Sequence, residues 1–255
     1  MKIQDLFEDI ESDKQNLDTS EQAWKKLLSE VKGYIELGEK DKFESYSKTF
    51  SDIMKFVSKI TYKIKESNYT INVKFIDNLN PKSAHGTFQT TRQKDGDYTS
   101  YRYDMFINYN SNNSNNNTEL SSINDFYNNF EKQFEETFIH EYNHFLDSLR
   151  SKDQESYTDT KTKMKNKGQY INTPHEFNAF YMQLMKSYKN AFKKRNVVEQ
   201  FKENPTFENF KDIGEITSDA GRALSNLDEQ YKKSYLKRLY QLYKEYYQYY
   251  IKNNT

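Results

Sequence analysis

Thr137-Phe138-Ile139-His140-Glu141-Tyr142-Asn143-His144-Phe145-Leu146-Asp147 is the stretch on which the architecture of the chain turns. Read as one helix at about 100° per residue, it sets His144 about 40° around the axis from His140. Both imidazoles then leave the same face, with the Glu141 carboxylate beside them. Gln133, Glu136, Thr137, Asp147 and Ser151 share that side, while Phe134, Phe138, Tyr142, Phe145, Leu146 and Leu149 gather roughly 120° to 250° away. The pattern predicts a helix that buries its aromatic face and presents its histidines to a cleft. H-E-x-x-H in that setting is the spacing of a two-histidine metal half-site, with the glutamate placed to take a proton from water as general base.

A catalytic zinc ion takes three protein ligands and keeps one open position. The third ligand is not a histidine farther along the same motif, because Asp147 and Arg150 occupy the positions that the longer H-E-x-x-H-x-x-G-x-x-H pattern gives to glycine and histidine. The best downstream carboxylate is Glu176, in Glu176-Phe177-Asn178-Ala179-Phe180-Tyr181. Two readings of it stand. Thr173-Pro174-His175-Glu176 is a capping box with proline at the first helical position, which makes Glu176 a helix cap. Beside a two-histidine half-site, the same helix start turns the carboxylate toward the metal, and Ala179 one turn later lets the two helices approach closely. Asp147 likewise reads either as a hydrogen-bond partner that fixes the tautomer of a ligand imidazole or as a plain surface aspartate. His175 faces away if Glu176 faces the metal, and His85 is an ordinary polar residue near the sheet.

The rest of the chain reads as α+β and mainly helical. Glycine (7) and proline (3) are scarce, and the core is ring-rich, with 22 tyrosines and 18 phenylalanines. Residues 3–67 read as helices: one with Ser20 as N-cap and Trp24, Leu27, Leu28, Val31, Tyr34 and Ile35 at helical spacing, then one over about 42–65. Strict alternation in 69–75 and 98–109, with an extended piece over about 84–92 and a hairpin signal at Asp95-Gly96, predicts three strands in a small, mostly antiparallel sheet. Residues 110–117 read as a mobile, solvated loop, 206–212 as a short helix, and 228–252 as a long helix whose tyrosines form a packing face. The expected division is a helical region over 1–67 packing on a catalytic region over 68–255.

Composition excludes several classes. Lys plus Arg equals Asp plus Glu at 38 each, so no net field points to nucleic acid. There are no cysteines, hence no disulfides and no thiolate-held zinc. No segment reads as a membrane span or a cleavable signal, so the expectation is a soluble protein, cytoplasmic by default or exported without such a signal.

H-E-x-x-H-x-x-D followed by a tyrosine-containing loop and an E-F-x-A-F helix resembles the gluzincin metallopeptidases, most closely the anthrax-lethal-factor-type catalytic domain. The likeness covers about residues 69–190; the N-terminal helices and the tyrosine-rich tail lie outside it. It implies a zincin-like fold and one catalytic zinc ion (Zn2+) held by His140, His144 and Glu176. It also implies that Glu141 is the general base and that Tyr170 steadies the oxyanion. The expected activity is zinc-dependent hydrolysis of peptide bonds in a protein or peptide substrate lying extended along the 98–109 strand. The competing expectation is a zincin-like fold retained as a binding or structural module, a virion component or a toxin-like effector, that acts without proteolysis. Oligomeric state stays open.

Overall fold

The computed structural model describes residues 3–44, 49–66, 68–79, 86–95, 98–150 and 174–252. They fall in two compact units, Ser20–Thr160 and, separately, Met1–Thr19 with Lys161–Thr255. The fold is α+β and mainly helical, as the scarcity of glycine and proline suggests. Among the described residues no helix is long and apolar enough to cross a membrane.

The Ser20–Thr160 unit holds the sheet. Helix α1 (Ile3–Glu44) supplies its later turns here, followed by α2 (Phe50–Val57), strands β1 (Tyr62–Glu66), β2 (Tyr69–Asp77), β3 (Gly86–Asp95) and β4 (Tyr98–Tyr109), and helix α3 (Ile123–Arg150). The strand order is β1-β2-β4-β3. β1 pairs antiparallel with β2, β3 pairs antiparallel with β4, and β2 pairs parallel with β4. The β3–β4 register joins Asp95 to Tyr98 and so leaves two residues between them, in agreement with the hairpin signal at 95–96. Tyr62, Ile64, Ile71, Val73, Phe75, Phe88, Tyr103, Met105 and Ile107 turn one sheet face into a core shared with Trp24 of α1 and with Phe126, Phe130, Phe134 and Phe138 of α3.

Four expectations change. Residues 62–66 form a strand and not the end of a helix, because Tyr62 and Ile64 alternate with exposed Lys63 and Lys65, and the sheet therefore begins ahead of residue 68. Ser20 is no cap: it is fully buried within α1. The cap in this region is Thr49, whose hydroxyl accepts from Asp52 N in a complete capping box at the start of α2. β4 is interior, paired on both sides, so the strand expected to receive a peptide has no free edge; β3 is the edge strand beside it. Finally, the asparagine-rich stretch is fastened down. Ser111 N donates to Asp77 Oδ1 (3.0 Å), Asn116 Nδ2 donates to Asn110 O (2.9 Å), and Gln133 Nε2 of α3 donates to Asn116 Oδ1 (2.9 Å).

The second unit is helical: α4 (Pro174–Ala191), α5 (Arg195–Glu203), α6 (Phe207–Thr217), α7 (Asp219–Leu224) and α8 (Glu229–Tyr250), with the first turns of α1. The tyrosines of α8 form a packing face, as their spacing predicts. Tyr246 lies 4.5 Å from Phe192 and 5.4 Å from Phe210 between ring centroids, and Tyr243 packs against Phe201, Phe207 and Phe210. Asp13 of α1 meets Arg238 of α8 at 3.8 Å, and the Arg238 guanidinium stacks over Phe177 and Tyr181. Helices α5 and α7 have no counterpart in the sequence reading, since each is too short to show a period.

Candidate metal site

Helix α3 is set by its start and by its rings. Ser122 Oγ accepts from Asp125 N (3.2 Å) and donates to Asp125 Oδ2 (3.0 Å), which fixes the first turn. Beyond it Phe126, Phe130, Phe134, Phe138, Tyr142 and Phe145 recur at helical spacing and are buried. Trp24 stacks against Phe130 at 5.7 Å and meets Phe138 at 5.5 Å, while Phe145 meets the rings of Tyr103 and Phe88 on the sheet at 5.2 and 6.1 Å. Together these contacts fix the rotation of the helix about its axis, and with it the direction in which the polar residues leave.

His140, Glu141 and His144 leave on that other side, and they too are buried, with His144 only 1% and Glu141 3% exposed. The cleft-facing surface expected there is thus covered: residues 138–145 are buried on every face of the helix. The two imidazoles stand edge to face at 81°, with His144 Nε2 3.2 Å from His140 Nε2. Two nitrogens that ligate one tetrahedral zinc ion at ~2.0–2.1 Å are themselves ~3.3 Å apart, so this spacing fits a shared ion without moving the helix.

The donor atoms of His140, His144 and Glu176 all lie within 4.8 Å of one another, all three residues are buried, and the group could hold a metal ion. Glu176 stands in the first turn of α4, whose first residue is Pro174, as the capping-box reading also requires. His175 is half-buried and is not one of the three. Two histidines and a carboxylate suit zinc, and also suit ferrous iron, so the donor set alone leaves the ion's identity open. Asp147 has its carboxylate 3.9 Å from the Arg150 guanidinium, one turn on. Tyr170, Thr173 and His85 lie outside the described residues.

One residue of this region escapes the sequence reading. Gly86 opens β3 directly against α3: a methyl carbon on it would stand 2.7 Å from both Glu141 Cγ and Oε1 and 2.9 Å from Thr137 Cγ2. A glycine at a strand end is a recognised signal of close backbone approach, but nothing in Ala84-His85-Gly86 says what approaches it. Glu141 Oε2 is buried and has no hydrogen-bond partner among the described residues. An orphaned buried carboxylate oxygen beside a metal-competent group is costly for stability alone and fits a site with a missing occupant.

No protein-family model matches the chain, and neither a curated protein nor a solved structure matches it.

Proposed function

We propose that this chain is a zinc-dependent endopeptidase of the gluzincin type, with His140, His144 and Glu176 as ligands, Glu141 as general base and a protein or peptide as substrate. The observation that carries the reading is the buried His140–His144–Glu176 group with the Glu141 carboxylate one residue along the same helix. Ferrous iron would take the same three donors, but an adjacent carboxylate with a free oxygen is what hydrolysis needs in addition.

A zinc ion held there supplies Lewis acidity toward a carbonyl oxygen and toward water. Glu141 receives the proton of the attacking water on a carboxylate oxygen and returns it to the leaving amine as the peptide bond breaks. Because Glu141 is 3% exposed, bulk water does not compete for that proton. Tyr170 is the proposed oxyanion donor, on the strength of the resemblance; one such donor is typically worth about 2.7–4 kcal/mol. Asp147 is the proposed partner of a ligand imidazole. An extended substrate would pair with β3, whose outer edge has no strand beside it among the described residues and whose first residue, Gly86, would meet Glu141 at 2.7 Å if it carried a methyl carbon.

Two measurements on the purified protein test this. Metal analysis should return about one zinc per chain, and a peptide library should show cleavage that a chelator stops and added zinc restores. Glu141→Gln should keep the metal and lose the cleavage; a variant that cleaves as fast as the parent would overturn the mechanism. A metal-free parent that cleaves nothing would favour the binding-module alternative.

A further inference from the structure

We propose that Gly86 is the positioning residue of Glu141: its missing side chain provides the seat for the carboxylate, and any side chain there would push the base out of place. The inference rests on the peptidase reading for its catalytic meaning, but its contact stands apart from that reading.

The seat has one rigid wall and one adjustable one. Gly86 is paired with Ile107 of β4, and β4 is itself held on its other side by β2, so the Gly86 backbone can retreat only by opening the first pair of the β3–β4 ladder. Thr87 Oγ1 also donates to Gly86 O at 2.7 Å. On the helix, the Glu141 backbone is locked by the ring contacts of Phe138, Tyr142 and Phe145 on the opposite face. What remains free to move is the outer part of the Glu141 side chain. Separations of 2.7 Å from a carbon to Cγ and Oε1 lie well inside van der Waals contact, so a side chain at 86 must displace the carboxylate.

Hydrogen bonding does not take over this task at the second oxygen. Glu141 Oε2 is buried with no hydrogen-bond partner among the described residues, so at that atom packing, and not a hydrogen bond, decides where the oxygen stands. A glycine suits such a role, since a methyl carbon there would meet Glu141 Oε1 at 2.7 Å, while Oε2 has no hydrogen-bond partner among the described residues. General-base catalysis is sensitive to this kind of support: a misplacement of about 1 Å typically costs on the order of a hundredfold in rate.

The experiment compares Gly86→Ala, Glu141→Asp, Glu141→Ala and the paired variants, with two kinds of readout. In the metal-loaded protein, Gly86→Ala should retain about one ion per chain and lower kcat by about a hundredfold with KM little changed. Glu141→Asp draws the carboxylate back by one methylene, so in the Gly86→Ala background it should recover part of that loss, although it lowers kcat on its own. In the metal-free protein, Gly86→Ala should lower the urea midpoint well below that of the parent, and should do so far less once Glu141→Ala has removed the clashing group. Where Gly86→Ala fails to fold, the same readouts apply to Gly86→Ala with Thr137→Ser, which removes the other clashing methyl. Equal midpoint losses in the Glu141 and Glu141→Ala backgrounds, or an unchanged kcat, would overturn the proposal. Midpoint coupling in a protein that cleaves no peptide would retain the seat and overturn the peptidase reading instead.

Discussion

Gln133 Nε2 donates to Asn116 Oδ1 across 2.9 Å, and this bond ties the asparagine-rich loop to α3 one turn ahead of Thr137. Asn116 is 3% exposed and its own amide donates to Asn110 O at 2.9 Å, so both ends of its side chain are used. Removing them costs both bonds, although the exposed Gln133 amide can turn to water and the Asn110 carbonyl is only half-buried. Asn116→Ala should therefore cost about 0.5–1.5 kcal/mol, read as a lower urea midpoint, and should speed amide exchange across 111–117. A midpoint equal to the parent's would show that the loop is held by something else.

Gly214 and Gly221 make a prediction of opposite sign to that for Gly33. A methyl carbon on Gly221 would come 2.3 Å from Gly214 O, and one on Gly214 would come 2.3 Å from the Tyr188 hydroxyl oxygen. That hydroxyl is itself engaged, donating to Phe210 O at 2.7 Å. Neither neighbour can yield cheaply, so Gly214→Ala and Gly221→Ala should each destabilise by about 3 kcal/mol or more. Gly33, inside α1, has nothing within 4 Å of where a methyl would stand. Gly33→Ala should stabilise by about 0.5–1 kcal/mol through helix propensity alone. Thermal melts of the three variants check both signs at once.

The parts of this fold that were legible in the sequence are those decided locally. The α3 stripe from Phe126 to Phe145 has a single period, and it places His140, Glu141 and His144 on one side whatever packs around them. The strands at 69–77 and 98–109 show period two for the same reason. What the pattern could not carry is neighbour choice. Arg102 and Asp104 give β4 the charged look of an edge strand, but they neutralise each other at 2.8 Å, and Asn72 Nδ2 donates to Asp104 Oδ1 from the neighbouring strand. β1 is five residues long and follows directly on a helical pattern, so its alternation is too brief to outweigh what precedes it. Glu176 stands out by its chemistry alone; no local pattern distinguishes a ligand from a helix cap at that position.

Metal binding should be visible in stability as well as in activity. An ion that binds only the folded chain stabilises it by RT ln(1 + [L]/Kd), about 4 kcal/mol at a thousandfold excess over Kd. Zinc should therefore raise the melting temperature of chelator-treated protein, and His140→Ala, His144→Ala and Glu176→Ala should each shrink that rise. A rise that survives in Glu176→Ala but not in the histidine variants would leave the two histidines as ligands and return Glu176 to a capping role.

Alkaline unfolding should be unusually steep, because the tyrosines that build both cores resist ionisation. Burial pushes Tyr62, Tyr142, Tyr181, Tyr188, Tyr235 and Tyr246 up from the ordinary value near 10. Nearby acidic or phenolic groups add to the effect: Glu66 beside Tyr142, Asp13 beside Tyr181 and Glu215 beside Tyr235. A phenol whose folded pKa lies above its unfolded one gives stability that is complete below the unfolded pKa. That stability is lost as pH rises, because above pH ~10 the unfolded chain releases protons that the folded chain keeps. Each such tyrosine should contribute a slope of about 1.4 kcal/mol per pH unit from pH ~10 up to its own folded value. The stability curve should accordingly be flat between neutrality and pH ~9.5 as far as these groups are concerned, and then fall with the combined slope of several phenols. Tyrosinate absorbance should appear in step with the loss of helical circular dichroism instead of ahead of it. Tyr246→Phe should reduce the slope by about one tyrosine's share, since it keeps the ring contacts with Phe192 and Phe210 and removes the ionising group. Tyrosinate absorbance that rises fully near pH ~10 while the helices persist would show that these rings are open to solvent, and the aromatic cores described above would have to be redrawn.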